Sequence, residues 1–204
     1  VGECGGGKST FARMLVGLLE PSTGSIEIAG KALDNADPAA FGKLIQYVFQ
    51  DPISSLNPRK TIRQIMEAPL KRLHGMARAE RDARISEIFA SVNLREEFLD
   101  RYPHEFSGGQ AQRIGIARAL AAAPEIIVLD EPVSALDVSV QAQVLNLLAD
   151  LRQQFGLTYL FISHDLAVVE AVSDRVVVLY FGAVVEIGKA TSIFNAPKHP
   201  YTKL

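Results

Sequence analysis

The chain has 204 residues, 48% of them hydrophobic and 22% charged, with a formal net charge of −2 and one cysteine. This length supports one sizeable globular core, and the near-neutral charge argues against nucleic acid as the main partner, which usually requires a basic surface. One cysteine excludes an internal disulfide framework and favours a reducing compartment, and no apolar run approaches the roughly 20 residues needed to cross a bilayer.

The first half of the chain predicts a mixture of helices and short strands. Residues 7–19 form a predicted helix whose apolar face carries Phe11, Leu15, Leu18 and Leu19. A half-exposed strand is predicted for 25–29 and a short buried strand for 45–49. From about residue 61 to 99 the pattern becomes helical and rich in charge, which indicates an inserted helical lobe, and a further helix is predicted for 108–122.

The second half alternates between strands and helices. A continuous apolar run at 126–129 is typical of a strand that is covered on both faces. It is followed by a predicted helix at 139–155, a buried strand at 157–162, a short helix at 166–172 and paired strands at 176–180 and 184–187. This alternation predicts a mainly parallel sheet with helices on both sides.

A glycine-rich stretch at the start matches the phosphate-binding pattern G-x-x-x-x-G-K-[ST]. Its residues are Gly2, Glu3, Cys4, Gly5, Gly6, Gly7, Lys8 and Ser9, with Thr10 next in the helix. The N–H groups of such a loop form a nest for phosphate oxygens, and the following helix directs its positive end to the same point. We expect Lys8 to reach the β- and γ-phosphates of a nucleotide and the Ser9 hydroxyl to coordinate Mg²⁺.

Two carboxylates follow the apolar run at 126–129. Asp130 is expected to emerge at the carboxyl-terminal edge of the sheet, where ligands bind in such folds, and to hold the Mg²⁺ shell through water. Glu131 is expected to be the catalytic base, which accepts a proton from the attacking water or orients it.

A second glycine turn, Ser107-Gly108-Gly109-Gln110, follows Phe106 and begins a helix. The Ser107 hydroxyl and the N–H groups of the two glycines form a second candidate anion site. One phosphate-binding fold cannot readily close both devices on the same phosphate. We therefore expect a site that is shared between two copies and that opens and closes with ATP.

Together these motifs resemble the nucleotide-binding subunit of ATP-binding-cassette transporters, over essentially the whole chain. The resemblance also rests on Gln50, on Ser134-Ala135-Leu136-Asp137 and on His164, all in the order of that family. It implies that Gln50 senses Mg²⁺ and water and that His164 contacts the γ-phosphate. The turn at Ser107–Gln110 and Asp137 would meet ATP held by the partner subunit.

The family resemblance also implies a fold and a domain plan. The fold is α/β, a RecA-like P-loop NTPase with an inserted helical subdomain and a partial antiparallel β subdomain. Residues 1–204 would be a single ATPase domain that is truncated at both ends. Its core and partial β subdomain would span 1–60 and 123–204, and its helical subdomain 61–122.

A closer resemblance is to the ATPase subunits of bacterial dipeptide and oligopeptide importers. It is carried by Asp51-Pro52 and by the segments 54–59, 101–110, 133–138 and 199–204. It implies an ATP hydrolase at the cytoplasmic face of the inner membrane that drives peptide import. Its partners would be a second ATPase subunit, in a homo- or heterodimer, transmembrane permease subunits and, indirectly, a substrate-binding protein.

Other functions are compatible with parts of this pattern. Nickel and glutathione importers share the importer motifs. A soluble cassette ATPase of DNA repair or of ribosomes is a second class, but repair members insert a long coiled coil where this chain has a short helical lobe. An ordinary P-loop kinase or GTPase would leave the turn at 107–110 unexplained.

Overall fold

A computed structural model describes residues 1–3, 5–28, 31–32 and 38–203, with Lys31 and Pro38 described by their backbone alone. The helices are α1 (Lys8–Leu15), α2 (Pro38–Leu44), α3 (Ile62–His74), α4 (Arg78–Ser91), α5 (Gly108–Ala121), α6 (Val138–Phe155), α7 (Leu166–Val172) and α8 (Ala190–Asn195). The strands are β1 (Glu27–Ile28), β2 (Lys31–Ala32), β3 (Ile45–Val48), β4 (Ile126–Asp130), β5 (Thr158–Ile162), β6 (Arg175–Tyr180) and β7 (Ala183–Lys189). Short 3₁₀ turns lie at Glu96–Asp100, Pro103–Glu105 and Pro200–Lys203.

A parallel sheet in the order β3-β4-β5 forms the centre of the described structure. In the central strand, Ile127, Val128 and Leu129 are fully buried, as expected for a run of apolar residues covered on both faces. Leu129 pairs with Val48 on one side and with Phe161 on the other. The carboxyl ends of the three strands therefore lie at one edge of the sheet.

The helices α3, α4 and α5 pack together beside this sheet. A capping box at Thr61 starts α3, because the Thr61 side chain accepts from the Gln64 N–H and the Gln64 side chain accepts from the Thr61 N–H. Ile85 and Phe89 of α4 are fully buried in the same apolar cluster as Ile114 of α5. The same cluster includes Ile127 and Leu129 of β4, so α5 packs against both the other helices and the sheet.

The strands β6 and β7 form an antiparallel hairpin that contacts the start of the chain. Gly2 forms an isolated parallel bridge with Leu179 of β6, and the Leu179 N–H donates to the Val1 carbonyl at 2.8 Å. A Cβ on Gly2 would lie 2.2 Å from the Leu179 carbonyl oxygen, and the Gly2 φ is 150°. Glycine is required here because the two backbones approach too closely for a side chain.

The predicted α/β fold with a mainly parallel sheet, flanking helices and a small antiparallel part is confirmed. The helix predicted for 166–172 is confirmed at both ends, and the strand predicted for 126–129 extends by one residue to Asp130. Part of the strand predicted for 25–29 falls on Ala29, which lies outside the described residues. The helices α2 and α8 were not predicted from the pattern.

The prediction for the first helix was wrong at its carboxyl end. The helix stops at Leu15 instead of residue 19, because Gly17 adopts a left-handed φ of 69° and the Leu18 N–H turns back to the Arg13 carbonyl at 2.9 Å. Leu18 and Leu19 are consequently exposed. Phe11 is exposed as well, at 46%, and lines a cleft of about 1340 Å³ bordered by β5, β6 and α6.

Among the described residues, no helix combines the length and the apolar character that crossing a bilayer requires.

Candidate nucleotide-binding site

The glycine-rich loop ends at Gly7, which is the N-cap of α1 and has a left-handed φ of 80°. Within the loop, the Gly6 N–H donates to the Glu3 carbonyl at 3.1 Å. The Lys8 ammonium donates to the carbonyl oxygens of Gly2 and Glu3, at 2.8 and 2.6 Å, and Lys8 is 7% exposed. The carbonyls of Gly2 and Glu3 therefore hold the ammonium of Lys8, the first residue of α1, and a lysine at the positive end of a helix attracts phosphate oxygens.

Ser9 and Asp130 meet at the carboxyl-terminal edge of the parallel sheet. The Ser9 hydroxyl donates to Asp130 Oδ1 at 3.1 Å, and Asp130 is only 4% exposed. The second oxygen, Oδ2, accepts from the Tyr47 hydroxyl at 2.5 Å. Burial, followed by this hydrogen bond to Asp130, raises the pKa of the Tyr47 phenol well above its usual range. Tyr47 is therefore a neutral donor to the carboxylate.

Glu131 forms a second polar group directly beside Asp130. Its Oε1 lies 3.0 Å from His164 Nδ1, and its Oε2 accepts from the Gln50 side-chain amide at 3.2 Å. The Glu131 N–H donates to the Ile162 carbonyl at 2.9 Å, and its φ is 47°. A left-handed φ at a residue with a long side chain is strained, and such strain is found where the surrounding structure holds a side chain in a required direction. The side chains of three predicted catalytic residues thus converge.

The serine-glycine turn, residues 107–110, lies at the start of α5 and beside the start of α6. The Ser107 hydroxyl accepts from the Gln110 N–H at 3.4 Å, and Gln110 Oε1 accepts from the Ser107 N–H at 3.1 Å. This capping box leaves the Ser107 proton free to donate to an anion. The neighbours of the two glycines are Leu136 and Val140, which flank the start of α6.

The remaining predicted site residues are distributed as follows. Thr10 is an exposed residue of α1, and Asp137 is exposed at the N-cap of α6 without a side-chain capping bond. Gly5 is exposed and has a φ of 81°. Cys4 lies outside the described residues.

The sequence-based prediction missed Tyr47. The sequence feature that could have indicated Tyr47 as a site residue is its place near the carboxyl end of a buried strand, two residues before the loop that carries Gln50. A buried tyrosine hydroxyl usually finds a hydrogen-bond partner, and the parallel pairing of β3 with β4 brings polar groups at these strand ends together. The identity of that partner depends on side-chain packing, which the pattern alone does not give.

A fold with a phosphate-binding loop, an acidic strand end beside it and an inserted helical unit defines a P-loop nucleotide-binding protein. The sequence model described as "ABC transporter" matches residues 1–134. The chain therefore belongs to the ABC transporter family. Membership of this family implies that the protein binds a nucleotide.

Several curated proteins are about half identical to this chain. A putative peptide import ATP-binding protein of Brucella abortus (strain 2308) is 54% identical over 207 residues, which covers 100% of this chain and 62% of that protein. The oligopeptide transport ATP-binding proteins AppF of Bacillus subtilis (strain 168) and OppF of Escherichia coli (strain K12) are each 51% identical, covering 63% and 62% of those proteins. The chain thus spans less than two thirds of the length of these relatives.

Solved cassettes share the fold. The structure of cbiO1 from Clostridium perfringens, part of the ABC transporter complex cbiONQ, superimposes with a TM-score of 0.84 at 28% identity, covering 96% of this chain and 78% of that one. The cassette MJ0796, solved as a dimer in a post-hydrolysis state with ADP and phosphate, gives a TM-score of 0.80 at 33% identity, with coverage of 93% and 83%.

Proposed function

We propose that the full-length protein binds and hydrolyses ATP as the energy-supplying subunit of a bacterial peptide importer. The single observation that carries the proposal is the convergence of two groups at one sheet edge. Lys8 and Ser9 follow the glycine loop, and Asp130 and Glu131 follow β4, with Ser9 and Asp130 in direct hydrogen-bond contact at 3.1 Å. Triphosphate binding and a metal-assisted attack by water need both groups together.

The oxygens of Ser9 and Asp130 fit a magnesium ion. Mg²⁺ prefers hard oxygen ligands and is usually held by one or two protein oxygens together with phosphates and water. When bound, it would neutralise charge on the β- and γ-phosphates. Ser9 would hold it directly and Asp130 through water. Gln50 remains a candidate ligand through its amide oxygen, since its amide nitrogen donates to Glu131.

Glu131 is the proposed general base. It would accept the proton of a water molecule as that water attacks the γ-phosphorus and ADP leaves, so that ADP and phosphate are the products. The hydrogen-bond partners Gln50 and His164 orient its two carboxylate oxygens, and His164 is the proposed contact to the γ-phosphate. Gly2–Thr10, with Cys4 among them, would bind the phosphates.

A second ATPase subunit, identical or related, is the proposed partner that completes the site. Ser107, Gly108 and Asp137 are exposed, and the two glycines of the turn lie beside the start of α6. Each would therefore bind ATP that a partner holds in its own glycine loop. The proposed division into a core at 1–60 and 123–204 and a helical subdomain at 61–122 would let this closure move one part relative to the other.

The proposed importer role rests on the relatives whose names refer to peptide or oligopeptide transport. A groove of about 550 Å³ between the β3 end and α3 suits a short helix of a transmembrane permease, and its lining includes Phe49, Leu56 and Gln64. A substrate-binding protein would act through the permease, and the ATPase would sit at the cytoplasmic face of the membrane. Dipeptides or oligopeptides are the proposed cargo.

The substitution Glu131→Gln tests the proposal in the full-length protein. It removes the base and keeps the shape of the side chain, so ATP binding should persist while the steady-state hydrolysis rate falls by at least about a hundredfold. The variant with ATP and Mg²⁺ should also accumulate as a dimer, because the triphosphate stays intact between the two subunits. Phosphate release and size-exclusion chromatography with light scattering measure the two effects.

Glu125→Gln is the matched control, since Glu125 is an exposed carboxylate just before the opposite end of β4. It should leave the hydrolysis rate and the dimer fraction unchanged. A Glu131→Gln protein that hydrolyses ATP at the normal rate would exclude Glu131 as the base. Normal ATP hydrolysis without any copurifying membrane protein would favour the soluble cassette class instead of an importer.

A further inference from the structure

The buried contact between Tyr47 and Asp130 has no counterpart among the sequence motifs of the site. Tyr47 is 6% exposed and Asp130 is 4% exposed, and the phenol donates to Oδ2 at 2.5 Å while Ser9 donates to Oδ1 at 3.1 Å. The two oxygens of one carboxylate thus have different donors on opposite sides. Ser9 directly follows the phosphate loop, and Tyr47 belongs to β3 of the parallel sheet.

The environment of the phenol is mainly apolar. Tyr47 belongs to a buried cluster with Ala12, Val128 and Ile162, and the nearby Arg13 side chain opposes part of the rise in the Tyr47 pKa. A carboxylate oxygen that faces such a cluster cannot be satisfied by bulk water, so it needs a donor from the protein. The Tyr47 hydroxyl is that donor for Asp130 Oδ2.

The ring that carries this hydroxyl is fixed in position. It packs on Phe49 with the ring centroids 4.6 Å apart and the planes tilted by 57°. Its backbone is held by the parallel pairing of Tyr47 with Val128, next to the fully buried Leu129. A donor held by a packed ring on a paired strand restricts rotation of the carboxylate more than a flexible side chain or a water molecule would.

We propose that Tyr47 is a positioning residue for the metal site, which sets the Mg²⁺ affinity of the ATP complex by holding the Asp130 carboxylate with Oδ1 toward Ser9. The inference rests on the proposed function of this site as a Mg·ATP site. Partners that orient a metal-binding carboxylate typically change metal affinity by 10- to 100-fold when they are removed. Without its donor, the carboxylate would rotate, and its second oxygen would be left buried and unpaired.

The test compares wild-type and Tyr47→Phe full-length protein, with trinitrophenyl-ATP as a fluorescent probe. The dissociation constant of the probe is measured in EDTA and then at increasing Mg²⁺ concentrations. We expect the value in EDTA to change by less than about twofold, because the glycine loop and Lys8 are untouched. The Mg²⁺ concentration that gives half of the tightening should rise about tenfold.

Tyr159→Phe is the matched control. Tyr159 is a half-buried strand tyrosine whose hydroxyl donates to the Leu148 carbonyl at 2.9 Å, so its loss removes a comparable hydrogen bond away from Asp130. Its Mg²⁺ dependence should equal that of the wild type. A general loosening of the core would instead shift both variants and would also weaken binding in EDTA.

The outcomes separate this inference from the function on which it rests. Wild-type protein that binds the probe equally with and without Mg²⁺ would overturn the metal site itself and the role of Tyr47 with it. A wild type with the Mg²⁺ dependence and a Tyr47→Phe variant that matches it would overturn the role of Tyr47 alone. Equal shifts in Tyr47→Phe and Tyr159→Phe would also overturn it.

Discussion

The second glycine of the serine-glycine turn is explained by packing, which leads to a prediction for stability. A Cβ on Gly109 would lie 2.6 Å from Val140 Cγ1, well inside van der Waals contact. Val140 is the third residue of α6, and a β-branched side chain in a helix has one strongly preferred rotamer. The valine cannot rotate away cheaply, so Gly109→Ala forces the starts of α5 and α6 apart.

The magnitude follows from two opposing terms. Overpacking of this kind costs about 1–3 kcal/mol. Replacing glycine by alanine inside a helix recovers at most about 1 kcal/mol, and less here because Gly109 is the second residue of α5. We therefore expect Gly109→Ala to lower the free energy of unfolding by about 1 kcal/mol or more.

A double-mutant cycle in the full-length protein measures this contact. The urea midpoint is determined for wild type, Gly109→Ala, Val140→Ala and the double variant. The four proteins can be compared when the free energy of unfolding falls with urea concentration at the same slope in each. Removing the valine methyl groups should abolish the cost of the added Cβ, which gives a coupling of about 1–2 kcal/mol. Gly108→Ala is the control, because its Cβ would approach only the flexible end of Leu136, at 3.3 Å. Coupling below about 0.5 kcal/mol would refute the packing argument.

Two further predictions concern the segments that flank the site. Asp165 caps α7 by accepting two backbone N–H bonds at 3.0 and 3.2 Å, so Asp165→Ala should cost about 1 kcal/mol in urea unfolding, and Asp165→Asn should cost clearly less. Backbone N–H bonds from His199 and then from Lys198 lower the pKa of Glu186. Because the folded-state pKa is depressed, ionised Glu186 stabilises the folded state at pH values above the ordinary glutamate pKa of about 4.3. This stabilisation is lost as the pH falls through the lower folded-state pKa. Hydrogen exchange should show acid-induced loss of protection at the His199 amide in wild type, and Glu186→Gln should remove that pH dependence; an identical profile in both would contradict it.

The parts of the fold that the sequence predicts well are those with one dominant local signal. The strand at 126–130 is a continuous apolar run, and α6 ends at Phe155 because Gly156 follows with a left-handed φ of 65°. The first helix was predicted too long because its apolar residues continue beyond Gly17. There the backbone preference of one glycine overrides the hydrophobic period.

The candidate site likewise combines features that the sequence predicts with contacts that it does not. The place of Asp130 at the carboxyl-terminal edge of the sheet follows from a topological rule, since ligands bind at that edge in parallel sheets. The contacts of Tyr47 with Asp130 and of Gly109 with Val140 do not follow from any local pattern. Both depend on how side chains from distant parts of the chain fill the space between elements, which only the packed structure defines.

In the proposed importer, the position of the Tyr47 ring would limit how the groove could change to fit a different permease. The ring lines the groove of about 550 Å³, while its hydroxyl reaches the buried carboxylate. A substitution of Tyr47 made for another partner would also alter the proposed Mg²⁺ site. Phe41, Gln64 and Ala68 line the same groove and carry no contact to Asp130 among the described bonds, so they are the positions where a designer could change partner preference independently.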